Sequence, residues 1–339
     1  LSPALAHLVV GPRRHGVVRF GVDLGNALHD TGFDMRTVCA AEVADLLRDR
    51  PWTDGAHLQF TDRLFGGTPE EAADAVVTVA GAVRSGGGRI TATLHDLPQP
   101  SDGANHRRRL AAYRDVAAAV DGIVVSSEHE RSLLLDCGAR ADHVGVVPLP
   151  VDATVAPAPV ASAAPPTVGI FGFVYPGKGH AEVIDALTGL DPRIAVLAIG
   201  EPSAGHDDLI EELRARGARR GRRFTVTGHL RDDAVIDALR RATVPVAPHR
   251  HVSASGSLNS WLAAGRRPLA PSNRYTCEID GRNPGALLLY PDTAEGLRES
   301  LARALADSRH TWLTAGTVCT PTRDEAAARY AELLERWHR

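Results

Sequence analysis

The sequence predicts an α/β fold in two similar halves, each built around an open, mostly parallel sheet, with the two sheets facing across a cleft. Three observations carry this. Short apolar runs rich in β-branched residues alternate with amphipathic stretches over roughly the first 150 residues. A Pro/Ala-rich segment without period, Val151 to Pro166, follows and reads as a linker. The alternation then restarts and runs nearly to the end of the chain. Ligands of such sheets bind at the carboxyl ends of the strands, so a cleft between two such ends is the expected site.

In the first half, His7–Gly11 is a buried strand, and the loop Pro12–Gly16 leads into an amphipathic helix through Val18, Val22, Leu24 and Leu28. Arg36–Ala40 and His57–Thr61 are strands, with a helix over Ala41–Arg48 between them. Glu70–Arg84 presents Ala73, Val76, Val77 and Ala80 at helical spacing. Ile90–Leu94 is strand-like and stops at His95-Asp96; Arg108–Val120 is helical and Gly122–Val125 a strand. Ser127, with Glu130 three residues on, has the pattern of a capping box, and Val144–Val147 closes the half.

The second half reads as strands at Val168–Gly172, Ile194–Ile199, Phe224–Thr227, Val244–Ala247, Arg267–Ala270 and Ala286–Leu289. Helices from Ala181 and over Asp207–Arg216, Ala234–Ala242 and Ser257–Ala264 separate them, and Glu295–Ala306 follows. Glu325–Trp337 carries an apolar stripe of Ala326, Tyr330, Leu333, Leu334 and Trp337. The expected domains are residues 1–153, residues 167–320, and a closing helix within 321–339 that packs back toward the first.

With 339 residues, the chain can bury two cores. A net charge of −3 argues against a dedicated nucleic-acid binder. No apolar run approaches the ~20 residues that span a bilayer. The apolar N-terminal stretch lacks the basic flank and small-residue cleavage site of a signal peptide. Cys39, Cys137, Cys277 and Cys319 are scattered without CxxC spacing, which fits reduced thiols in the cytosol and no zinc site.

The most informative stretch is TVGIFGFVYPGKGHAEVIDAL, Thr167 to Leu187. Strand, glycine-rich loop, helix is a geometry that aims backbone N–H groups at an anion. Its Lys178 is the single lysine among 38 lysines and arginines, which marks a site preferring a compact ammonium to a planar fork.

At this point the motifs resemble the GT-B glycosyltransferases, and among them the retaining group numbered four. GPRRHGVVRFG (11–21) is similar to that family's first glycine loop, with Gly16 in it. TATLHDLPQP (91–100) is similar to the segment holding its active-site histidine, and VDGIVVSSEHERSLLLDCGA followed by VGVVPLPVD to the end of its first domain. GFVYPGKG, Gly172 to Gly179, occupies the place of the phosphate loop. HVSASGSLNSWLAAGRRPLAPSN (251–273) is similar to the donor-binding helix and its trailing strand, and Glu278 with GALLLYPD (285–292) fits the stretch after it. The resemblance spans almost the whole chain and implies two Rossmann-like domains, a hexosyltransferase-like activity with a nucleotide-diphospho-sugar as donor substrate, retention, and no metal or other cofactor.

The departures are specific. Phe173 stands where the family usually has arginine, and Gly177 where it has glutamate. The family's paired glutamates, which face the sugar and hold the ribose, would fall at Val252 and Ser260. The resemblance makes His95 the residue that meets the donor sugar. Asp96 is expected to orient its imidazole by a hydrogen bond. Lys178 and the amides of Ser255, Gly256 and Ser257 are expected to take the diphosphate, with Arg250 replacing the missing arginine and Asn259 and Ser260 offering uncharged bonds to a hydroxyl. His249 and His251 lack a third ligand nearby and read as a loop, not a metal pair.

Two basic clusters remain. His106-Arg107-Arg108-Arg109 is placed to steer an anionic or lipid-linked acceptor, and Arg214–Arg223 reads first as a solvated face, with contact to anionic lipid at the inner membrane face as the sharper alternative. A catalytically silent relative that binds a nucleotide or sugar phosphate as a partner subunit is the competing expectation.

Overall fold

A computed structural model describes residues 5–151 and 165–339. The linker expected over Val151–Pro166 lies outside the described residues apart from its ends. The chain divides into two compact units, one formed by residues 1–150 and 323–339, the other by residues 151–322.

The first unit holds six parallel strands, β1 (Leu5–Val10), β2 (Met35–Ala40), β3 (Gly55–Phe60), β4 (Arg89–Leu94), β5 (Gly122–Val125) and β6 (Val144–Val146), in the order β2-β1-β3-β4-β5-β6. Its helices are α1 (Gly16–Asp30), α2 (Val43–Asp49), α3 (Asp62–Phe65), α4 (Pro69–Ser85), α5 (His106–Ala119), α6 (Glu128–Asp136) and, from the end of the chain, α13 (Arg323–His338). Alternation along the strands decides what each face meets. Leu8, Leu58, Phe60, Ile90, Ala92 and Leu94 join one core with Val76, Val79, Val83 and Tyr113 of α4 and α5. Leu5, Val124 and Val147 join a second core with Leu24 and Leu28 of α1 and Tyr330, Leu334 and Trp337 of α13. Helices therefore cover both faces, as a parallel sheet requires. Ser127 caps α6, accepting from the Glu130 N–H at 2.9 Å, while the Glu130 carboxylate reaches back to accept from the Ser126 N–H at 2.7 Å.

The second unit repeats the plan with β7 (Thr167–Phe171), β8 (Ala195–Ile199), β9 (Phe224–Val226), β10 (Val244–Val246), β11 (Leu269–Pro271) and β12 (Leu288–Tyr290), ordered β12-β11-β10-β7-β8-β9 and all parallel. Helices α7 (His180–Ala186), α8 (Asp207–Arg219), α9 (Asp232–Arg241), α10 (Gly256–Ala263), α11 (Arg274–Arg282) and α12 (Ala294–Ala306) flank it. Sequence reading finds every strand within one or two residues and misses α3 and α11. Helix α11 has only Tyr275 and Ile279 as its apolar pair, too short a stripe to stand out. All four cysteines are free.

Candidate functional site

In the second unit the strand-to-helix loop begins at Gly172, whose N–H donates to the Ile199 carbonyl at 3.0 Å, and ends at Gly179, the cap of α7. Gly179 has φ +97°, and a Cβ there would stand 2.7 Å from the Pro248 side chain, so only glycine closes this turn against the β10 loop. The turn folds Lys178 inward, leaving it 5% exposed. Its Nζ donates to Ser257 Oγ at 3.1 Å and lies 5.8 Å from the Tyr175 ring centroid. Burial pulls its pKa down to about 8.

Around the ammonium is a polar chain. Ser255 Oγ accepts from the Leu258 N–H at 3.2 Å as the N-cap of α10 and lies 3.1 Å from Ser257 Oγ and 3.2 Å from His249 Nε2. The Ser255 N–H donates to Tyr275 Oη at 2.8 Å. His249 and His180 are buried, and desolvation first, then the Lys178 charge, lower both pKa values, that of His180 to about 3. Both rings are therefore neutral. Among the described residues the Lys178 ammonium makes its one hydrogen bond to a neutral hydroxyl and has no carboxylate partner. A buried cation without an anion is costly, and a bound anion removes that cost.

The other expected donor-side residues are placed differently. Gly256 is exposed at the start of α10 and Asn259 is half-buried. Ser260 Oγ donates to the Gly256 carbonyl at 2.9 Å, so its proton is spent inside the helix. Arg250 is not left for a ligand as expected: its Nε and Nη2 bind the carboxylate and carbonyl of Asp292, 42 residues on, which neutralises it. Val252 is buried in a cluster with Val151, Ala247 and Leu258. Phe173 and Tyr175 are exposed, at 44% and 38%.

In the first unit His15 caps α1, its Nδ1 accepting from the Val17 N–H at 3.2 Å, and Gly16 is the helix's exposed first residue. His95 follows β4. Its N–H donates to the Phe60 carbonyl at 2.9 Å, its carbonyl accepts from Tyr113 Oη at 2.7 Å, and Phe20 meets its ring edge-on at 5.4 Å. Desolvation is the main cause that lowers its pKa to about 4; Asp96 opposes and His15 assists.

Asp96 does not orient the imidazole by a hydrogen bond. Its φ of +52° turns the carboxylate to Thr61, whose Oγ1 donates at 3.1 Å, and Asp96 acts on His95 only as a nearby charge. The ring's partner is Gln59, its Oε1 2.8 Å from His95 Nε2. Sequence reading missed Gln59. The available signal was parity: His7, His57, Gln59, Thr91 and Thr93 all fall on one face of the sheet, opposite Leu8, Leu58 and Leu94.

The first basic cluster is largely paired, and the second is the solvated face read first, with Arg214, Arg219, Arg220 and Arg223 exposed. Arg108 is paired to Glu70 by two bonds of 2.8 Å, and Arg109 to Asp62 and Asp102. Arg107 alone of these three arginines has no ion pair among the described residues. In the second cluster Arg214 pairs with Glu211 and Arg216 and Arg220 with Asp185, while Arg222 is buried against the carbonyls of Leu187, Leu190, Asp191 and Ile194. Among the described residues no group of three or more His, Cys, Asp or Glu could hold a metal ion, and no helix is long and apolar enough to cross a membrane.

No family model and no curated protein matches the chain. Solved structures do. The Anabaena protein Alr3699/HepE in complex with UDP and glucose is 16% identical with a TM-score of 0.69, over 98% of this chain and 95% of that one. Sucrose-phosphate synthase from Thermosynechococcus elongatus is 15% identical with a TM-score of 0.67, over 98% and 94%. The lipopolysaccharide outer core galactosyltransferase WaaB is 11% identical with a TM-score of 0.63, over 98% of both chains. Two six-stranded parallel sheets flanked by helices, matched along nearly the whole chain by these structures, give this chain the fold of the GT-B glycosyltransferases.

Proposed function

We propose that the protein is a glycosyltransferase that moves a sugar from a nucleotide-diphospho-sugar to an acceptor hydroxyl, with retention and without a metal. The observation that carries the reading is Lys178: a buried ammonium with no carboxylate partner among the described residues, bonded to Ser257 in the first turn of α10. Departure of the sugar through an oxocarbenium-like transition state develops charge on the leaving diphosphate, and a fixed cation beside a helix N-terminus stabilises it. The loop from Gly172 to Gly179 and Ser255, Gly256 and Ser257 take the phosphates on this reading. Asn259 and the acceptor lone pairs of Ser260 serve hydroxyls, Arg250 contributes only on leaving Asp292, and Gly16 lets the first turn of α1 approach a ligand. His95 meets the reacting sugar, and Asp96 supplies charge nearby. Alr3699/HepE, of the same fold, was captured with UDP-glucose, which supports a nucleotide sugar as the ligand class.

A second reading is favoured by one observation. Val252 is packed in the core and Ser260 has spent its proton, so neither carboxylate usual for sugar and ribose recognition is replaced. On that reading the protein binds the nucleotide without turnover, as a partner subunit. Thermal shift against a panel of nucleoside diphosphates and their sugars, followed by assay of donor consumption, tests both. Binding with transfer or donor hydrolysis supports the enzyme, tight binding without either supports the silent binder, and no binding refutes the site.

A further inference from the structure

His95 sits at the end of an unbroken polar ladder on the face of the first sheet beneath α1 and α13. Gln59 is fully buried, with Oε1 2.8 Å from His95 Nε2 and Nε2 3.0 Å from His7 Nε2 and 3.5 Å from Thr93 Oγ1. Thr93 Oγ1 in turn lies 2.9 Å from His57 Nε2 and 3.2 Å from Tyr330 Oη. Helix α1 passes directly over the Gln59 stem, because Gly21 has no side chain. A Cβ there would stand 3.0 Å from Gln59 Cγ and 2.9 Å from Val9. The amide is thus held at both ends and from above.

A carbonyl oxygen accepts and never donates, so the nitrogen facing Oε1 carries the proton. We propose that Gln59 is a positioning residue that locks His95 in the neutral Nε2–H tautomer, leaving Nδ1 as a lone-pair acceptor for a hydroxyl of the donor sugar. The sugar's part rests on the glycosyltransferase reading; the tautomer does not. Among the described residues Nδ1 of His95 makes no hydrogen bond. Burial, which lowers the His95 pKa to about 4, keeps the ring neutral at physiological pH. The amide cannot be turned end for end without moving a proton on His7 as well as on His95, so the two rings are set together. An acceptor at Nδ1 orients a hydroxyl by accepting its hydrogen bond, and it rejects a group that can only accept.

Long-range proton–nitrogen spectra of the 15N-labelled protein at pH 7.5 test this. The His95 signals are identified by their absence from the His95→Asn spectrum. The expected parent spectrum has a protonated Nε2 and a bare Nδ1 in one tautomer. Gln59→Leu is expected to give averaged shifts from both tautomers, with a lowered kcat at nearly unchanged nucleoside-diphosphate affinity. Gln59→Glu, which restores an acceptor at the same place, is expected to recover the Nε2–H form and raise the His95 pKa by at least one unit. A parent with the proton on Nδ1, or a Gln59→Leu protein that keeps one tautomer, overturns the assignment. Should Gln59→Leu not fold, the parent spectrum and an unmoved His95 titration in Gln59→Glu decide it. Failure to find turnover with any donor counts instead against the glycosyltransferase reading.

Discussion

Lys178 Nζ and Ser257 Oγ lie 3.1 Å apart, a hydrogen bond that ties the glycine loop after β7 to the first turn of α10 across 79 residues. The bond fixes where a buried positive charge sits relative to a helix N-terminus. The ammonium lies against Gly172, 3.5 Å from where a Cβ would stand there, and a planar guanidinium is a larger, differently shaped donor.

On the proposed reading, replacing Lys178 with alanine removes a charge-assisted hydrogen bond to a bound diphosphate. The expected loss of nucleoside-diphosphate affinity is roughly 1.5–3 kcal/mol, with the fold intact because the bond inside the protein ends on a neutral hydroxyl. Calorimetry on parent and variant checks it; equal affinities would take the loop out of the site.

The same lysine sets a pH dependence. Burial lowers its pKa to about 8, so the free protein loses this charge as pH rises through 8. A diphosphate favours the charged form, so binding at pH 8.5 takes up a proton and affinity declines above that pH. In the unliganded protein the sign is opposite. The cost of burying the ammonium is present below pH 8 and is relieved as pH rises toward the ordinary lysine value of about 10.4. Binding heats of a nucleotide-diphospho-sugar, whose phosphates do not titrate in this range, measured in two buffers of different ionisation enthalpy should differ at pH 8.5 and converge near pH 6.5. Identical heats at pH 8.5 would contradict the shift.

The fold was legible because its signal is local. Most strands carry two or more of Val, Ile, Leu and Phe within three to six residues, and each long helix carries its own stripe. The site was legible only in part. Lys178 stands out by composition, and Ser255 by its place before a helix. Arg250 looked available because its partner, Asp292, is 42 residues away, and the Arg108–Glu70 pair spans 38. Ion pairs of that range leave no periodic trace in a sequence. Asp96 follows His95 directly in the sequence, yet adjacent residues on extended chain point apart, and the positive φ at Asp96 turns its carboxylate to Thr61. Gln59 shares its strand parity with His57, and the register that puts it beside Thr93 shows the face they form.

Arg109 is expected to matter for stability more than for ligand capture. It is nearly buried, pairs with the buried Asp62 at 2.8 Å and with Asp102, and holds the Asp96 carbonyl in its left-handed turn. Arg109→Met strands the Asp62 carboxylate and should lower unfolding free energy by about 3–5 kcal/mol, with part recovered in Arg109→Met/Asp62→Asn. Urea denaturation measures both. A loss below about 1 kcal/mol in the single variant would show the pair to be a solvated one.

Transfer should not need a metal. The groups assigned to the phosphates are an ammonium, hydroxyls and backbone N–H groups, which bind oxyanions directly. Product formation is expected to persist in excess EDTA. Complete loss, restored by Mg²⁺ or Mn²⁺, would mean that the diphosphate is held elsewhere.

His95 separates an enzyme from a silent binder. Lys178 and Ser255–Ser257 would hold the diphosphate in either case, so nucleotide affinity alone cannot tell the two apart. The imidazole, by contrast, is assigned to the sugar, and it is neutral, backed by Gln59 and Phe20, and fixed at its backbone by Phe60 and Tyr113. His95→Ala should therefore cut turnover by about 10²-fold or more while nucleoside-diphosphate affinity stays nearly unchanged, the signature of an interaction realised in the transition state. Donor hydrolysis is counted with transfer, so that an unidentified acceptor does not hide the chemistry. A parent protein that binds one nucleotide tightly, yet neither transfers nor hydrolyses any common donor, is no transferase. The physical reason would then lie at Val252 and Ser260, where a packed valine and a self-bonded hydroxyl leave the sugar and ribose without a carboxylate to orient them.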